Sequence, residues 1–308
     1  MKLPRTQTIV FANQKGGCGK TTGSVSVAAA LAKLGYKVTL IDVDAQCNAT
    51  DTFGVDRDDL AKQGHFTIAD AYLAKKPIAE IQFLLPERFD GNLAIAAGHR
   101  GLNGMQARID AEIQARVAGE QASDLDADDL RNEYRQRLRN SISSLQGKQD
   151  FVVIDTPPEL GFLLTTALIA ADWCVIPTFP SGYDLKGLEA LTKTIEKVTK
   201  RYNPRLRMLG VLIGNFDARA KLDRDIQKML AGMFGDDLLF QTNIGRSVKH
   251  REATVYGLTI FEHAAGEVSS QQYEAVGREI IGRVEKTLTT TAVPPSTSAP
   301  AVAEVSNG

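Results

Sequence analysis

The chain has 308 residues, 43% of them hydrophobic, so it can bury a large core; one doubly wound α/β domain with an insertion accounts for the length as well as two domains would. A formal net charge of −1 excludes a global attraction to nucleic acid, so any such binding must come from a local patch. The scattered cysteines, Cys18, Cys47 and Cys174, exclude a disulfide framework and a Cys-x-x-Cys metal site, and no apolar run reaches the roughly 18 residues that cross a bilayer.

Met1 to Arg5 leads directly into an apolar stretch, Thr8 to Ala12, that reads as a strand. This leaves no room for a signal peptide, so the expected location is the cytoplasm. The next residues are Lys15-Gly16-Gly17-Cys18-Gly19-Lys20-Thr21-Thr22, followed by a helical pattern from Val25 to Leu34. A glycine-rich turn between strand and helix points several backbone N–H groups at one spot, and the helix N-terminus adds partial positive charge there. The run therefore predicts a nucleoside triphosphate site, with Lys20 reaching the β- and γ-phosphates and the Thr21 hydroxyl reaching Mg²⁺. Gln14 stands where the ordinary phosphate loop has its first glycine, and Lys15 is an additional lysine at the loop's start. Cys18, within the loop, and Cys47 read as neutral packed thiols.

Gly35 supplies a helix stop, and Lys37 to Ile41 reads as a second buried strand. It ends in Asp42-Val43-Asp44-Ala45-Gln46-Cys47-Asn48, which places carboxylates beside the crevice where parallel sheets hold ligands. Asp and Asn in such loops also cap turns, which is the lesser reading for Asp42 or Asn48 taken singly. Leu93 to Ala97 predicts another strand. Gly101 to Gln149 then departs from the rhythm as a helical insertion, with apolar stripes at Met105, Ile109 and Ile113 and at Leu130, Tyr134, Leu138 and Ile142. A peripheral helical hairpin with solvated charges is the preferred reading, ahead of a partner-docking surface.

The segment Phe151 to Pro158 opens with four apolar residues that end in Asp155, as in a strand buried on both faces whose terminal carboxylate reaches the Mg²⁺ shell through water. Pro157, Pro158 and Gly161 make the following turn a candidate sensor of the γ-phosphate. Further strands are expected at Trp173 to Pro177 and Leu206 to Ile213. The helix between them buries Leu185, Leu188, Leu191, Ile195, Val198 and Tyr202, and carries Lys193, Lys197, Lys200 and Arg201 on its other side. Strands alternating with helices predict a doubly wound, mostly parallel sheet flanked by helices.

Gly245 to Ala253 concentrates the positive charges of Arg246, Lys249 and Arg251, a cluster that is either a solvated face or a DNA contact. The basic side of the helix ending at Tyr202 could extend it. From Thr289 to Gly308 the composition is Thr, Ala, Pro, Ser and Val with no period, which predicts a disordered tail after one ATP-binding domain over residues 1–288.

The Lys-Gly-Gly-x-Gly-Lys-Thr-Thr loop resembles the deviant Walker A loop of the ParA/MinD family of ATPases. The string from Asp42 to Asn48 resembles that family's first switch, and Phe151 to Pro158 resembles its Walker B segment. The resemblance implies ATP and Mg²⁺ as cofactors, ATP contacts along Lys15, Gly16, Gly17, Cys18, Gly19, Lys20, Thr21 and Thr22, Mg²⁺ at Thr21 and Asp155, and Asp44 orienting the attacking water. Lys15, in that family, reaches across an ATP-sandwiched homodimer to the partner's phosphates. Asn215 and Asp217 fall where the family's adenine contacts lie.

Arg246 and Lys249 match its Arg-x-x-Arg-x-x-Glu-Ala stretch with a lysine at the second position, implying non-specific double-stranded DNA binding and nucleoid association in the ATP-bound state. Lysine keeps the charge but lacks arginine's planar fork. A ParB-like or other cargo adaptor would stimulate slow hydrolysis, segregating plasmid or chromosome DNA or positioning a protein assembly. No helix-turn-helix segment precedes Lys15, so operator-specific repression is not expected. The alternative is a MinD-like membrane-cycling regulator, which needs a basic amphipathic C-terminal helix that the tail's composition does not offer.

Overall fold

Runs of consecutive apolar residues become the centre of a seven-stranded sheet in the computed structural model, which describes residues 3–55, 60, 62–118, 127–180 and 185–292. The strands are β1 (Gln7–Phe11), β2 (Val38–Asp42), β3 (Phe83–Leu84), β4 (Leu93–Ala96), β5 (Phe151–Asp155), β6 (Trp173–Thr178) and β7 (Arg207–Ile213). The longer helices are α1 (Lys20–Lys33), α2 (Asn48–Thr52), α3 (Ile68–Leu73), α4 (Ile78–Ile81), α5 (Met105–Ala118), α6 (Ala127–Ile142), α7 (Phe162–Ala170), α8 (Leu185–Arg201), α9 (Lys221–Phe234), α10 (Lys249–Val255), α11 (Ile260–His263) and α12 (Val268–Ala292).

The strand order is β3-β4-β2-β5-β1-β6-β7, and every pairing is parallel except β3 against β4. Parallel strands need helical crossovers, which cover both sheet faces, so the strands are apolar on both sides. Val10, Ile41 and Ile154 face a layer containing α3 to α9, while Ile9, Leu40 and Val153 face a layer built on α1 and α12. Because β5 inserts between β2 and β1, Phe11, Asp42 and Asp155 end in one row: Asp155 is the register partner of both Phe11 and Asp42. That row sets the place of the site.

Strand boundaries fall within a residue or so of the expected ones, and α1 begins at Lys20 rather than Val25, because the loop's last glycine already starts the helical ladder through its carbonyl to Gly23 N. β3 was not expected; two residues carry too little pattern to register as a strand. The segment from Gly101 to Gln149 forms the two expected helices, α5 with most of its residues exposed and α6 set deeper. Both its stripes are buried, and α6 packs against α7 inside the core. Arg137 on α6 is 4% exposed; its guanidinium donates to the Tyr72 carbonyl at the end of α3 and lies 3.5 Å from the Tyr134 ring centroid. A cation capping the carbonyls of a helix C-terminus is favourable there, so the charge serves packing rather than solvation.

The last helix also outruns expectation. α12 continues through Thr289 to Ala292, with the Thr289 and Thr290 hydroxyls donating back to the carbonyls of Glu285 and Lys286. Extending an existing helix fixes one residue per bond, which offsets the weak propensity of threonine. The rest of the expected disordered tail, residues 293–308, lies outside the described residues.

Candidate functional site

Gly17 and Gly19 adopt φ of 70° and 91°, the left-handed region that a side chain resists, and this lets the chain curl between β1 and α1. Asn13 fixes the entrance: its amide donates to the Pro177 carbonyl at 2.7 Å and its oxygen accepts from Lys15 N at 3.0 Å. A Cβ on Gly16 or Gly17 would meet nothing within 4 Å, so the crown of the loop stands open. Lys20, only 6% exposed, turns its ammonium inward, donating to the Lys15 carbonyl at 2.9 Å, with Cys18 Sγ at 3.9 Å. Lys15 itself is part-exposed at the loop's mouth. Burial pushes the Cys18 thiol up, more than the neighbouring Lys20 pulls it down, which keeps it neutral as expected.

Behind the loop, Thr21 Oγ1 donates to Asp155 Oδ2 at 2.8 Å, while Asp155 Oδ1 is buried with no hydrogen-bond partner. Burial, and then the facing Asp42, push the Asp155 carboxyl up to about 8. A hydroxyl and an unsatisfied carboxylate oxygen, both hard donors, fit a magnesium ion that keeps most of its shell as water and phosphate. Among the described residues no cluster of three or more His, Cys, Asp or Glu could hold a metal by itself.

Asp42 and Asp44 part company. Asp42 is wholly buried and accepts from Thr50 N at 2.8 Å, Thr50 Oγ1 at 2.7 Å and Asp44 N at 3.2 Å, so it ties α2 to the end of β2. Burial pushes its carboxyl up to about 6, with the Thr50 bonds opposing. Asp44 is 7% exposed, accepts from Gln46 N at 2.9 Å, and lines a cavity of about 630 Å³ with Gln46, Pro157, Glu159 and Met105. The loop after β2, the turn after β5 and the start of α5 therefore meet around Asp44.

A second cavity, of about 560 Å³, meets the loop from its helical end, at Gly19, Thr21 and Thr22. It extends past Asn215, whose φ is 53°, to His250 and Tyr273. Asn215 thus forms part of the wall of this cavity. Asp217 instead makes a local turn, accepting from Arg219 N at 3.0 Å and pairing with its guanidinium. Sequence reasoning missed Phe179 and His250 on this cavity. His250 Nε2 is buried without a partner, and burial holds the ring down at about 4, hence neutral. A single aromatic after a strand carries no period, so only the fold reveals it.

Arg246, Lys249 and Arg251 come together at the start of α10, but their charge is partly answered. Arg246 lies 3.5 Å from Asp223 and donates to the Asn215 carbonyl at 3.3 Å; Lys249 pairs with Glu252 at 3.0 Å. Arg251 lines the 560 Å³ cavity. The basic side of α8 does not extend this cluster, since α8 packs in the opposite sheet layer from α10's neighbours α2 and α11.

A family profile described as AAA domain matches residues 6–208. The chromosome-partitioning ATPase Soj of Thermus thermophilus is 32% identical over 286 residues, covering 93% of this chain and 100% of that protein. Among solved structures, cobyrinic acid a,c-diamide synthase from Mycobacterium smegmatis with bound ADP and magnesium aligns with a TM-score of 0.71 at 23% identity, over 92% of this chain and 96% of that one. A Cyanothece McdA variant in complex with ATP aligns with a TM-score of 0.70 at 19% identity, over 90% and 96% of the two chains. The two structures share the fold.

Proposed function

The chain belongs to the ParA/MinD superfamily of ATPases, with ATP and Mg²⁺ as its cofactors, and from this premise we propose that it is a partition or positioning ATPase worked by an ATP-sandwiched homodimer. The observation that carries the reading is the division of labour between the two loop lysines: Lys20 is buried and turned inward, whereas Lys15 stands at the open mouth of the same loop. Lys20 holds the phosphates of its own subunit, with the backbone of Gly16, Gly17, Cys18, Gly19, Thr21 and Thr22 around them. Lys15 reaches the phosphates of a facing copy, so that nucleotide occupancy and assembly are one event.

Magnesium, held from the protein side by Thr21 and Asp155, supplies charge neutralisation at the phosphates when bound. Asp44 orients the attacking water at the floor of its cavity, and Asn215 borders the base. Transfer of the phosphoryl group to water is then largely a matter of positioning and electrostatics, and without an arginine finger in these motifs turnover is slow until a ParB-like or other cargo adaptor accelerates it.

The dimer presents Arg246, Lys249 and Arg251 from both copies to non-specific double-stranded DNA, which ties the ATP state to the nucleoid in the cytoplasm and the spent state to release. The cargo is plasmid or chromosomal DNA, or a protein assembly. Sedimentation of Lys15→Ala with ATP and Mg²⁺ is the test. The variant binds nucleotide but stays monomeric and inactive; a normal dimer with wild-type turnover overturns the reading.

A further inference from the structure

Phe179 follows β6 directly, and its ring is set between the two loops that frame the nucleotide. An added Cβ on Gly19 would lie 2.9 Å from Phe179 Cε1, and one on Gly214 would lie 2.7 Å from the same atom. Both glycines are therefore the room that the ring occupies. Gly19 is the last glycine of the phosphate loop, and Gly214 precedes Asn215, whose positive φ turns the chain around the ring. With its edge tucked against these two backbones, the half-buried ring gives its remaining surface to the 560 Å³ cavity.

The position of that cavity decides what the surface meets. It meets the loop where α1 begins, through Gly19, Thr21 and Thr22, whereas Asp44 and the turn after β5 line a different cavity. A triphosphate seated on the loop thus sends its sugar and base past Phe179 toward Asn215. At the back of the cavity His250 and Tyr273 are set edge to face at 5.3 Å, leaving Phe179 as the aromatic surface nearest the loop.

We propose that Phe179 is a nucleotide-positioning residue that selects for an aromatic base: its ring carries the purine and ribose, and through Gly19 and Gly214 it sets the spacing between the phosphate end and the base end. The proposal rests on the ATP-binding assignment of the same site and adds the base contact to it. Aromatic contacts of this kind favour flat, polarisable rings and discriminate little among phosphate chains.

The test is calorimetry of Phe179→Leu, Phe179→Ala and Phe179→Tyr against two probes, MgATP and magnesium tripolyphosphate, with each variant's melting temperature as a folding control. Phe179→Leu keeps the bulk between the glycines but removes the ring, and it should lose about ten-fold in ATP affinity while tripolyphosphate binding is unchanged. Phe179→Tyr should restore the wild-type ratio. An equal loss for both probes would show that the ring only braces the loop, and no loss for either would show that it faces nothing; each result overturns the proposal. A wild-type chain that takes neither probe would strike down the nucleotide assignment itself and the proposal with it.

Discussion

Asp42 and Asp155 are register partners at the carboxyl ends of adjacent parallel strands, and neither has any exposed surface. Two carboxyl groups placed side by side out of water cannot both carry charge cheaply, so the pair is destabilising unless protons or a cation are present. Asp42 is answered by Thr50; Asp155 is answered on one oxygen only.

A pH dependence follows. The Asp155 carboxyl is raised in the folded protein to about 8 from an ordinary value of 3.8, so between these limits the folded state binds more protons than the unfolded one. Its contribution to stability is present below the unfolded value and is lost as pH rises through the folded value. The thermal midpoint of the nucleotide-free protein should therefore fall as pH is raised from about 5 to about 8.5, and Asp155→Asn should flatten that slope. Scanning calorimetry across this range decides it; parallel slopes for the two proteins would refute the assignment.

Lys20→Ala removes a buried ammonium aimed at the loop's interior. Charge-assisted contacts to phosphate are worth about 1.5 to 3 kcal/mol, so nucleotide affinity should drop by about 10- to 100-fold. Titration with MgADP, which avoids turnover, measures it. Unaltered affinity would place the phosphates elsewhere.

Thr50→Val should cost about 2 kcal/mol of stability, because one hydroxyl both donates to the buried Asp42 and accepts from Gly98 N at 2.8 Å. Thr52→Val, whose hydroxyl only returns to the Asn48 carbonyl, should cost about 0.5 kcal/mol or less. Urea midpoints of the two variants provide the comparison, and equal losses would contradict the tie between α2 and β2.

Glu252 bonds both Lys249 and His263, and these contacts hold its carboxyl below the usual range, the His263 bond foremost. Glu252→Gln should therefore free Lys249 and tighten binding to non-specific duplex DNA with ATP. The double variant Arg246→Ala, Lys249→Ala should weaken it and reduce the salt slope by about 2. Retention on duplex at several ionic strengths tests both. A Glu252→Gln protein that binds no better would mean that Lys249 contributes nothing to the contact.

The sheet was legible because its strands are buried on both faces and read as unbroken apolar runs; Phe151 to Asp155 is the clearest. The phosphate loop was legible because glycines and lysines at fixed spacing have few other uses. Three things were not. Arg137 reads as a surface charge until α3 is seen to end beneath it. Phe179 acquires meaning only from two glycines distant in the chain. The carboxylate partners of Arg246 and Lys249 show that a run of positive charge does not by itself give the field around it.

An ammonium has three protons to give, and Lys20 spends one of them on the Lys15 carbonyl, bracing the curl of its own loop. The receptor is thus shaped in advance, and an incoming phosphate chain need not fold its own socket. Capture should run at a rate set by encounter and not by rearrangement, which leaves the slow, adaptor-stimulated cut of the phosphate bond to time each cycle.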